Sequence, residues 1–575
     1  MTKKAASKSS ISKNSTAEYF AKNLQQVGFS SPSKAVLTTL KEAVDNSLDA
    51  CEEHGILPEI LIKIKKTGKG TLKNTDRLLI SVEDNGPGLK VDEVPMVFGE
   101  YLASSKFGKG RCSRGQQGIG ISAATTWAVQ TSATGAMVLT KTKGASKALS
   151  CLVVNDLKKN KGLLKDKKLL AWEKPHGTRV EFLIDGRMQL NGEGGVLAYL
   201  RGNLLLNPHL SLTYELPEME PVTIERVSKD MPQIPEASLP HPHTMKLGEF
   251  ISHARLFGSK KFGEWLKTGF SRVTDAELLR LIEIGKASQS LLAKSVSSLG
   301  TEEFEAVFSG IQEIELKQPS TQSVMSIGED ALSLSIQRLG EINLFAVVSR
   351  KPAICDFKPV QVEVAVARQA QSAQDADEPV SVLRFANRVP LQFDKAACAI
   401  VKAITTINWK AYGLKQSRSL LPNGPYIIAV SVISPFIKFK NASKETIDAS
   451  DELVEEIRKA LQQAGQKIAK FLRKELKARE LETKTQHIEK FGPILVASLC
   501  RIVEASEERK ASASEGLNKL LRSESKNAEK ELSLVEEKLE EHILKQKKNL
   551  RFFSDEDKEI EQRRIKEEEK VEVSL

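Results

Sequence analysis

Aromatic residues are scarce in this chain. Phe, Trp and Tyr together make up 5% of its 575 residues. Base-stacking platforms are therefore not the expected way for it to meet a nucleic acid. Cysteine is scarcer still: six, at 51, 112, 151, 355, 398 and 500, with no C-x-x-C pair and no histidine at metal spacing. That pattern predicts reduced thiols of an intracellular protein rather than a metal knuckle. The eight histidines are equally dispersed, and His241 and His243, flanking a proline, are expected at the surface. No apolar run reaches the ~18 residues of a membrane span. The longest, Tyr426 to Ile433, has strand length and is closed by Pro435. The first fifteen residues carry Lys and Ser without an apolar core, which predicts a flexible arm rather than a signal peptide.

Charge, in contrast, is abundant. Lys plus Arg number 85 and Asp plus Glu 74, a net +11. A modest basic excess permits contact with nucleic acid without requiring it. The length suggests roughly four domains.

The first strong pattern is KEAVDNSLDA at 41–50. Ser31 suits an N-cap and Pro32 the first helical position. At helical spacing Leu37, Leu40, Val44, Leu48 and Cys51 share one side, and Glu42, Asn46 and Asp49 share the other. Taken alone, that polar stripe reads as an exposed helix face. Strands are predicted over 59–65 and 77–82, joined by a Gly/Lys turn at 66–70. The second strand delivers DNGPG at 84–88, a turn sequence. Further on, SSKFGKG (104–110) leads into SRGQQGIG (113–120) and then a helical pattern. Glycines before a helix start let backbone N–H groups approach an anion, and the helix N-terminus adds a favourable dipole. Neither a G-x-x-x-x-G-K-[ST] loop nor a G-x-G-x-x-G order is present. PHGTRVEF (175–182) reads as a turn entering a strand, with the Thr178 hydroxyl at its start.

The rest of the chain alternates in character. The segment from 212 to 242 is rich in Pro and Glu. A helical pattern then runs to about 309, with a capping box at Thr274–Glu277 and a stop at Gly285. Strand-like runs follow at 360–367, 381–391 and 426–433. Ser450 caps a long amphipathic helix with Leu453, Ile457, Leu461, Ala464, Ile468 and Leu472 in its apolar stripe. Pro493 is the strong breaker in this region, and FGPILVASLCRIV (491–503) is apolar enough to bury. From 517 to 550 leucines recur in heptad-like fashion among Glu and Lys.

The set of motifs, in this order and spacing, resembles the GHKL ATPase family of gyrase-type topoisomerases, heat-shock chaperone ATPases, MutL-type repair proteins and histidine kinases. The wording KEAVDNSLDA, SSKF and SRGQQGIGISAA is similar to that of the B subunits of type IIB topoisomerases. The resemblance covers about residues 15–500. It implies an α/β multidomain chain. A flexible arm (1–15) precedes a GHKL (Bergerat) α/β sandwich ATPase domain (16–237). A helix-two-turns-helix domain (238–315), an α/β transducer domain (316–475) and a helical C-terminal extension (476–575) follow.

The same resemblance implies ATP and Mg²⁺ as ligands. Glu42 would be the general base and Asn46 the Mg²⁺ ligand. Asp84 would hold adenine, with Gly86, Gly88 and Thr178 around it. Ser105, Lys106 and the lid Arg114, Gly115, Gln116, Gln117, Gly118, Ile119, Gly120 and Ile121 would close over the phosphates. Lys444, in an S-K-E-x-I loop, would reach the γ-phosphate only when the transducer rotates in. Trp409, Lys410 and Tyr412 match a W-K-x-Y pattern associated with DNA sensing; packing of a helix end is the equal alternative. Lys260, Lys261 and Lys267 either meet DNA phosphates or form a solvated surface. The implied partners are double-stranded DNA, a second copy bound through the ATPase domain, and a DNA-cleaving A subunit in an A2B2 heterotetramer. No membrane is involved. The implied location is the nucleoid-containing cytoplasm of a prokaryote or the nucleus of a eukaryote. A chaperone-like or MutL-like ATPase without a cleavage subunit is the alternative.

Overall fold

A computed structural model describes residues 15–104, 110–115, 117–235, 237–370, 377–416, 421–441, 443–523, 526 and 530. The arm at 1–14, Ser105, Lys106, Gln116 and the heptad-like tail beyond 530 lie outside them.

The first unit holds α1 (Thr16–Lys22), α2 (Pro32–Glu53), β1 (Glu59–Lys69), β2 (Asp76–Glu83), α3 (Glu93–Gly99) and α4 (Gly120–Ser132). It continues with β3 (Ala136–Lys141), β4 (Ala148–Asp156), β5 (Lys161–Leu170), β6 (Gly177–Gly186), α5 (Val196–Leu206), β7 (Ser211–Glu215) and β8 (Val222–Ile224). Its strands form one sheet in the order β5-β4-β3-β6-β2-β1-β7-β8. Alternation explains why one face is covered. Ile60, Ile62 and Ile64 of β1 and Leu78, Ile80 and Val82 of β2 all point inward and are buried. In register, Ile62 lies opposite Val82, and Ile80 opposite Phe182 of β6. The apolar side of α2, with Leu37, Leu40, Val44 and Leu48, joins that core.

The expected turn at 66–70 falls later. β1 runs on to Lys69 past a register shift at Lys66/Gly68. The chain reverses at 70–75, where the Asp185 carboxylate accepts from the Thr71 amide at 2.6 Å and the Thr71 hydroxyl at 2.5 Å.

The second unit consists of short helices: α6 (Leu247–Arg255), α7 (Phe262–Gly269), α8 (Asp275–Glu283), α9 (Gln289–Ala293) and α10 (Thr301–Glu313). The scarce aromatics are concentrated here. Phe250, Phe262, Trp265, Phe270 and Phe304 form its buried centre. The Thr274–Glu277 capping box forms as the sequence suggests. His241 does not lie at the surface. It is 1% exposed, its ring stacked on Phe357 at 5.0 Å.

The third unit opens with α11 (Glu329–Ile336) and holds β9 (Ile342–Ser349), β10 (Ala353–Cys355), β11 (Lys358–Gln369), β12 (Ser381–Ala386) and β13 (Val389–Pro390). Then come α12 (Ala399–Thr405), β14 (Lys415–Gln416), β15 (Pro422–Asn423), β16 (Tyr426–Ile433) and α13 (Asp451–Ile502). The run 381–391 is two strands, turned over at Asn387–Arg388. Strand order is β10-β11-β16-β12-β13, with β9 also on β11. Ile457, Leu461, Ala464, Ile468 and Leu472 of α13 pack on this sheet.

Two expectations fail in α13. Pro493 does not end the helix, and the apolar segment 491–503 is not buried. Phe491, Ile494, Leu495 and Ile502 are each more than half exposed. There α13 has passed the sheet that covers its first turns.

The first and third units share a core. Leu205 and Leu206 of α5 pack with Leu332, Ile336 and Phe345. Arg338 donates to the carbonyls of Leu204 and Asn207 at 3.1 and 3.3 Å, satisfying the end of α5.

Candidate nucleotide site

A cavity of about 710 Å³ opens beside α2. Glu42 and Asn46 line it from α2, Asp84 and Gly88 from the turn after β2, and Thr178 from β6. Gly115, Gln117, Gly118, Ile119, Gly120 and Ile121 line the opposite wall, and Lys444 enters from the third unit. The polar stripe of α2 therefore faces inward.

Asp84 is buried in the cavity wall and held there by three donors. It accepts from the Ser47 hydroxyl at 2.7 Å, the Gly86 amide at 2.9 Å and the Thr178 amide at 3.1 Å. Burial pushes its carboxyl up, and these three hydrogen bonds oppose that. Gly86 thus serves through its amide. The Thr178 hydroxyl bonds Thr140 at 3.0 Å. Gly88 adopts φ +73, and a Cβ there would stand 2.1 Å from the Lys141 carbonyl oxygen. Only glycine allows this close approach. Ser47 was not singled out from sequence. Its signal was its place beside Asn46, on the side of α2 that turns toward β2.

On the other wall, α4 begins at Gly120 with no side-chain cap. Its first N–H groups are available to an anion. Glu42 reaches this end: a Cβ on Gly120 would lie 2.0 Å from the Glu42 carboxylate. Asn46 Oδ1 faces Gly115, 3.5 Å from where a Cβ there would stand.

Lys444 does not wait outside. Its Nζ donates to the Arg114 carbonyl at 3.2 Å from a residue at φ +54. Burial pushes its ammonium pKa down, and the Glu42 carboxylate opposes this. Next to it, Glu445 pairs with Lys34 of α2 at 2.9 Å. The structure therefore places the loop around Lys444 at the cavity wall, against the lid and α2.

Two assignments need correction. The Arg114 side chain does not line the cavity. Its guanidinium is fully buried on the far side of the lid, bonded to Asp49 at 2.7 Å and Glu52 at 2.7 and 2.9 Å. Two carboxylates on α2 outcompete an open pocket for it. This also gives Asp49 the role that sequence left blank. Trp409 cannot touch DNA here: it is fully buried, its indole N–H donating to the Ile404 carbonyl at 3.0 Å. Tyr412 packs on Trp409 with ring centroids 6.2 Å apart, and only Lys410 of the three is exposed.

Among the described residues, no three His, Cys, Asp or Glu side chains are placed to hold a metal, and no helix is long and apolar enough to cross a membrane. All six cysteines are free and buried.

The sheet, the α2 stripe and the glycine wall define a GHKL-type ATPase. Residues 33–185 match the family model for histidine kinase-, DNA gyrase B- and HSP90-like ATPases, and residues 319–484 match that for the transducer of the topoisomerase VI B subunit. The B subunit of type 2 DNA topoisomerase 6 from Archaeoglobus fulgidus is 34% identical over 85% of this chain and 79% of its own length. The Methanosarcina barkeri protein of that name is 33% identical over 85% and 77%. The ATPase region of Saccharomyces cerevisiae topoisomerase II aligns over 79% of this chain and 95% of its own, with TM-score 0.39 and 12% identity. This chain belongs to the family of type 2 DNA topoisomerase 6 B subunits, as an ATPase subunit of an ATP-dependent DNA topoisomerase.

Proposed function

We propose that this chain binds and hydrolyses ATP in the cavity beside α2, and that the ATP cycle drives a dimer gate for duplex DNA. The observation that carries the reading is the convergence of Glu42, Asn46, Asp84 and Lys444 on one cavity.

Hydrolysis of a terminal phosphate needs an oriented water, donors around the phosphate and neutralisation of developing charge. Glu42 takes the water's proton at its carboxylate, against the start of α4. The first amides of α4 and the lid glycines donate to the phosphates. Lys444 places its ammonium at the γ-phosphate. Asp84 accepts from the exocyclic amine of adenine; a guanine would leave it without that donor. Asn46 suits Mg²⁺: its amide oxygen is a hard donor turned to the glycine wall, and this ion needs few protein ligands when phosphates supply the rest. When bound, Mg²⁺ neutralises phosphate charge.

Cleavage of DNA belongs to a separate A subunit. The apolar face of α13 around Ile494, Leu495 and Ile502 supports docking of that subunit. Self-association runs through the ATPase unit. The chain acts where DNA is, in the nucleoid or the nucleus. The transducer match favours this reading over a chaperone-like or MutL-like clamp.

The test pairs the full chain with its A subunit on supercoiled DNA. Relaxation is expected only with ATP and both subunits. Glu42→Ala should retain nucleotide binding and lose about 10²–10⁴ in hydrolysis. Undiminished hydrolysis would remove Glu42 from its role, and ATPase activity never coupled to DNA would favour the clamp.

A further inference from the structure

The lid is anchored at its root, and the anchor lies outside the nucleotide cavity. Glu52, at the end of α2, is buried with Arg114 of the lid and Arg388 of the third unit, both also buried. Its carboxylate accepts from Arg114 at 2.7 and 2.9 Å and from Arg388 at 2.7 and 2.9 Å. Asp49 accepts from Arg114 on the same side at 2.7 Å. His209 Nε2 completes the Glu52 shell at 2.9 Å. Burial pushes the His209 imidazole pKa down, favouring the neutral ring, while the Glu52 carboxylate opposes this.

The charges in this cluster balance: two carboxylates against two guanidinium groups. Take Arg388 away and a buried excess negative charge remains, which is strongly unfavourable. The seat of Arg388 is itself unusual. It occupies the turn between β12 and β13 at φ +66, beside Asn387 at φ +48. That region suits Gly or Asn, and a long side chain there is strained. The turn is nevertheless pinned: Asn387 exchanges hydrogen bonds of 3.0 and 2.9 Å with Ser434. A rigid, strained turn aims one guanidinium at one carboxylate of another unit.

What Arg388 steadies is the lid root. The Arg114 carbonyl accepts from Lys444, and the Gly115 amide donates to Asp49 at 3.3 Å. The third unit thus grips residues 114–115 twice: through Lys444 at the carbonyl, and through Arg388 by way of Glu52.

We propose that Arg388 is a positioning residue for ATP turnover: seated on Glu52, it completes the neutral cluster that fixes the lid root, and so ties lid placement to docking of the transducer. The proposal rests on the ATPase reading of the cavity.

The test uses the full chain and steady-state ATP hydrolysis. Arg388→Met should raise KM for ATP about tenfold, because the lid loses its placement. Arg388→Lys, which keeps the charge, should fall between Arg388→Met and wild type. Glu52→Gln alone leaves an excess positive charge and should also raise KM. Glu52→Gln with Arg388→Met restores neutrality and should bring KM back to within about threefold of wild type, a coupling that independent sites do not show. A merely misfolded fraction lowers kcat and leaves KM unchanged. An unchanged KM in Arg388→Met, or a double variant no better than the single, would overturn the proposal. An inactive wild-type chain would instead refute the ATPase reading itself.

Discussion

Gly120→Ala isolates geometry from stability. Gly120 is the first residue of α4, and its φ lies outside the left-handed region. An alanine there is conformationally acceptable, and relief of glycine's chain entropy stabilises by up to about 1 kcal/mol. The added methyl has one serious obstacle, the Glu42 carboxylate, 2.0 Å from the new Cβ. Ordinary contact requires the carboxylate to retreat by more than about 1 Å, and a misplacement of about that size loses on the order of 10² in rate. Gly120→Ala should therefore melt no lower than wild type, bind an ATP analogue within a few-fold, and hydrolyse ATP on the order of a hundred times more slowly. Single-turnover hydrolysis, analogue titration and a thermal melt read the three quantities. A shorter acid makes room: on a Glu42→Asp background the methyl should do much less further harm, since contacting residues are not additive. Wild-type turnover in Gly120→Ala would refute the placement of Glu42 against α4. A lowered melting temperature would show that the methyl strikes the fold instead.

Two further outcomes follow from buried acids, one lining the cavity and one on α2 outside that lining. Asp84→Asn keeps shape but loses a charged acceptor; one such hydrogen bond contributes about 1.5–3 kcal/mol, so ATP affinity should fall about tenfold to a hundredfold in a nucleotide titration, and unchanged affinity would move adenine elsewhere. Asp45, buried with its Oδ1 3.4 Å from the Tyr199 hydroxyl, is pushed by burial up to about 7, with Lys41 and Arg114 opposing and Glu42 and Asp49 adding. A carboxyl raised in the fold contributes stability that is complete below its unfolded value near 4 and is lost as pH rises through about 7. The whole effect is at most about 4 kcal/mol for a shift of this size. Urea midpoints of wild type should fall relative to Asp45→Asn between about pH 4 and pH 7; parallel profiles would show that Asp45 is not held protonated.

The α2 stripe shows how far local pattern reaches. Helical period alone put Glu42, Asn46 and Asp49 on one side, and the Ser31 cap and Pro32 forecast the start of that helix. Turn chemistry marked Gly88, whose left-handed backbone the structure requires. Such features are encoded within a few residues of one another. Burial of a polar face is not, because a stripe that meets solvent and one that meets a ligand have the same spacing. The errors have the same origin. Arg114 sits in a glycine-rich lid and reads as a phosphate ligand, yet two carboxylates on α2 claim it. Trp409 reads equally as a DNA contact or as packing at a helix end, His241 as a surface imidazole and 491–503 as core, and each was decided by what packs beside it.

By itself the sequence determined the periods, caps and glycines, and hence where a helix, a turn and a phosphate-ready loop would form. Tertiary structure alone decided which charges meet. Glu52 and Arg388, 336 residues apart, pair because two units share a core at Leu205, Leu206 and Phe345. No spacing rule links them, since the energy that joins two buried charges depends on distance in space and not along the chain.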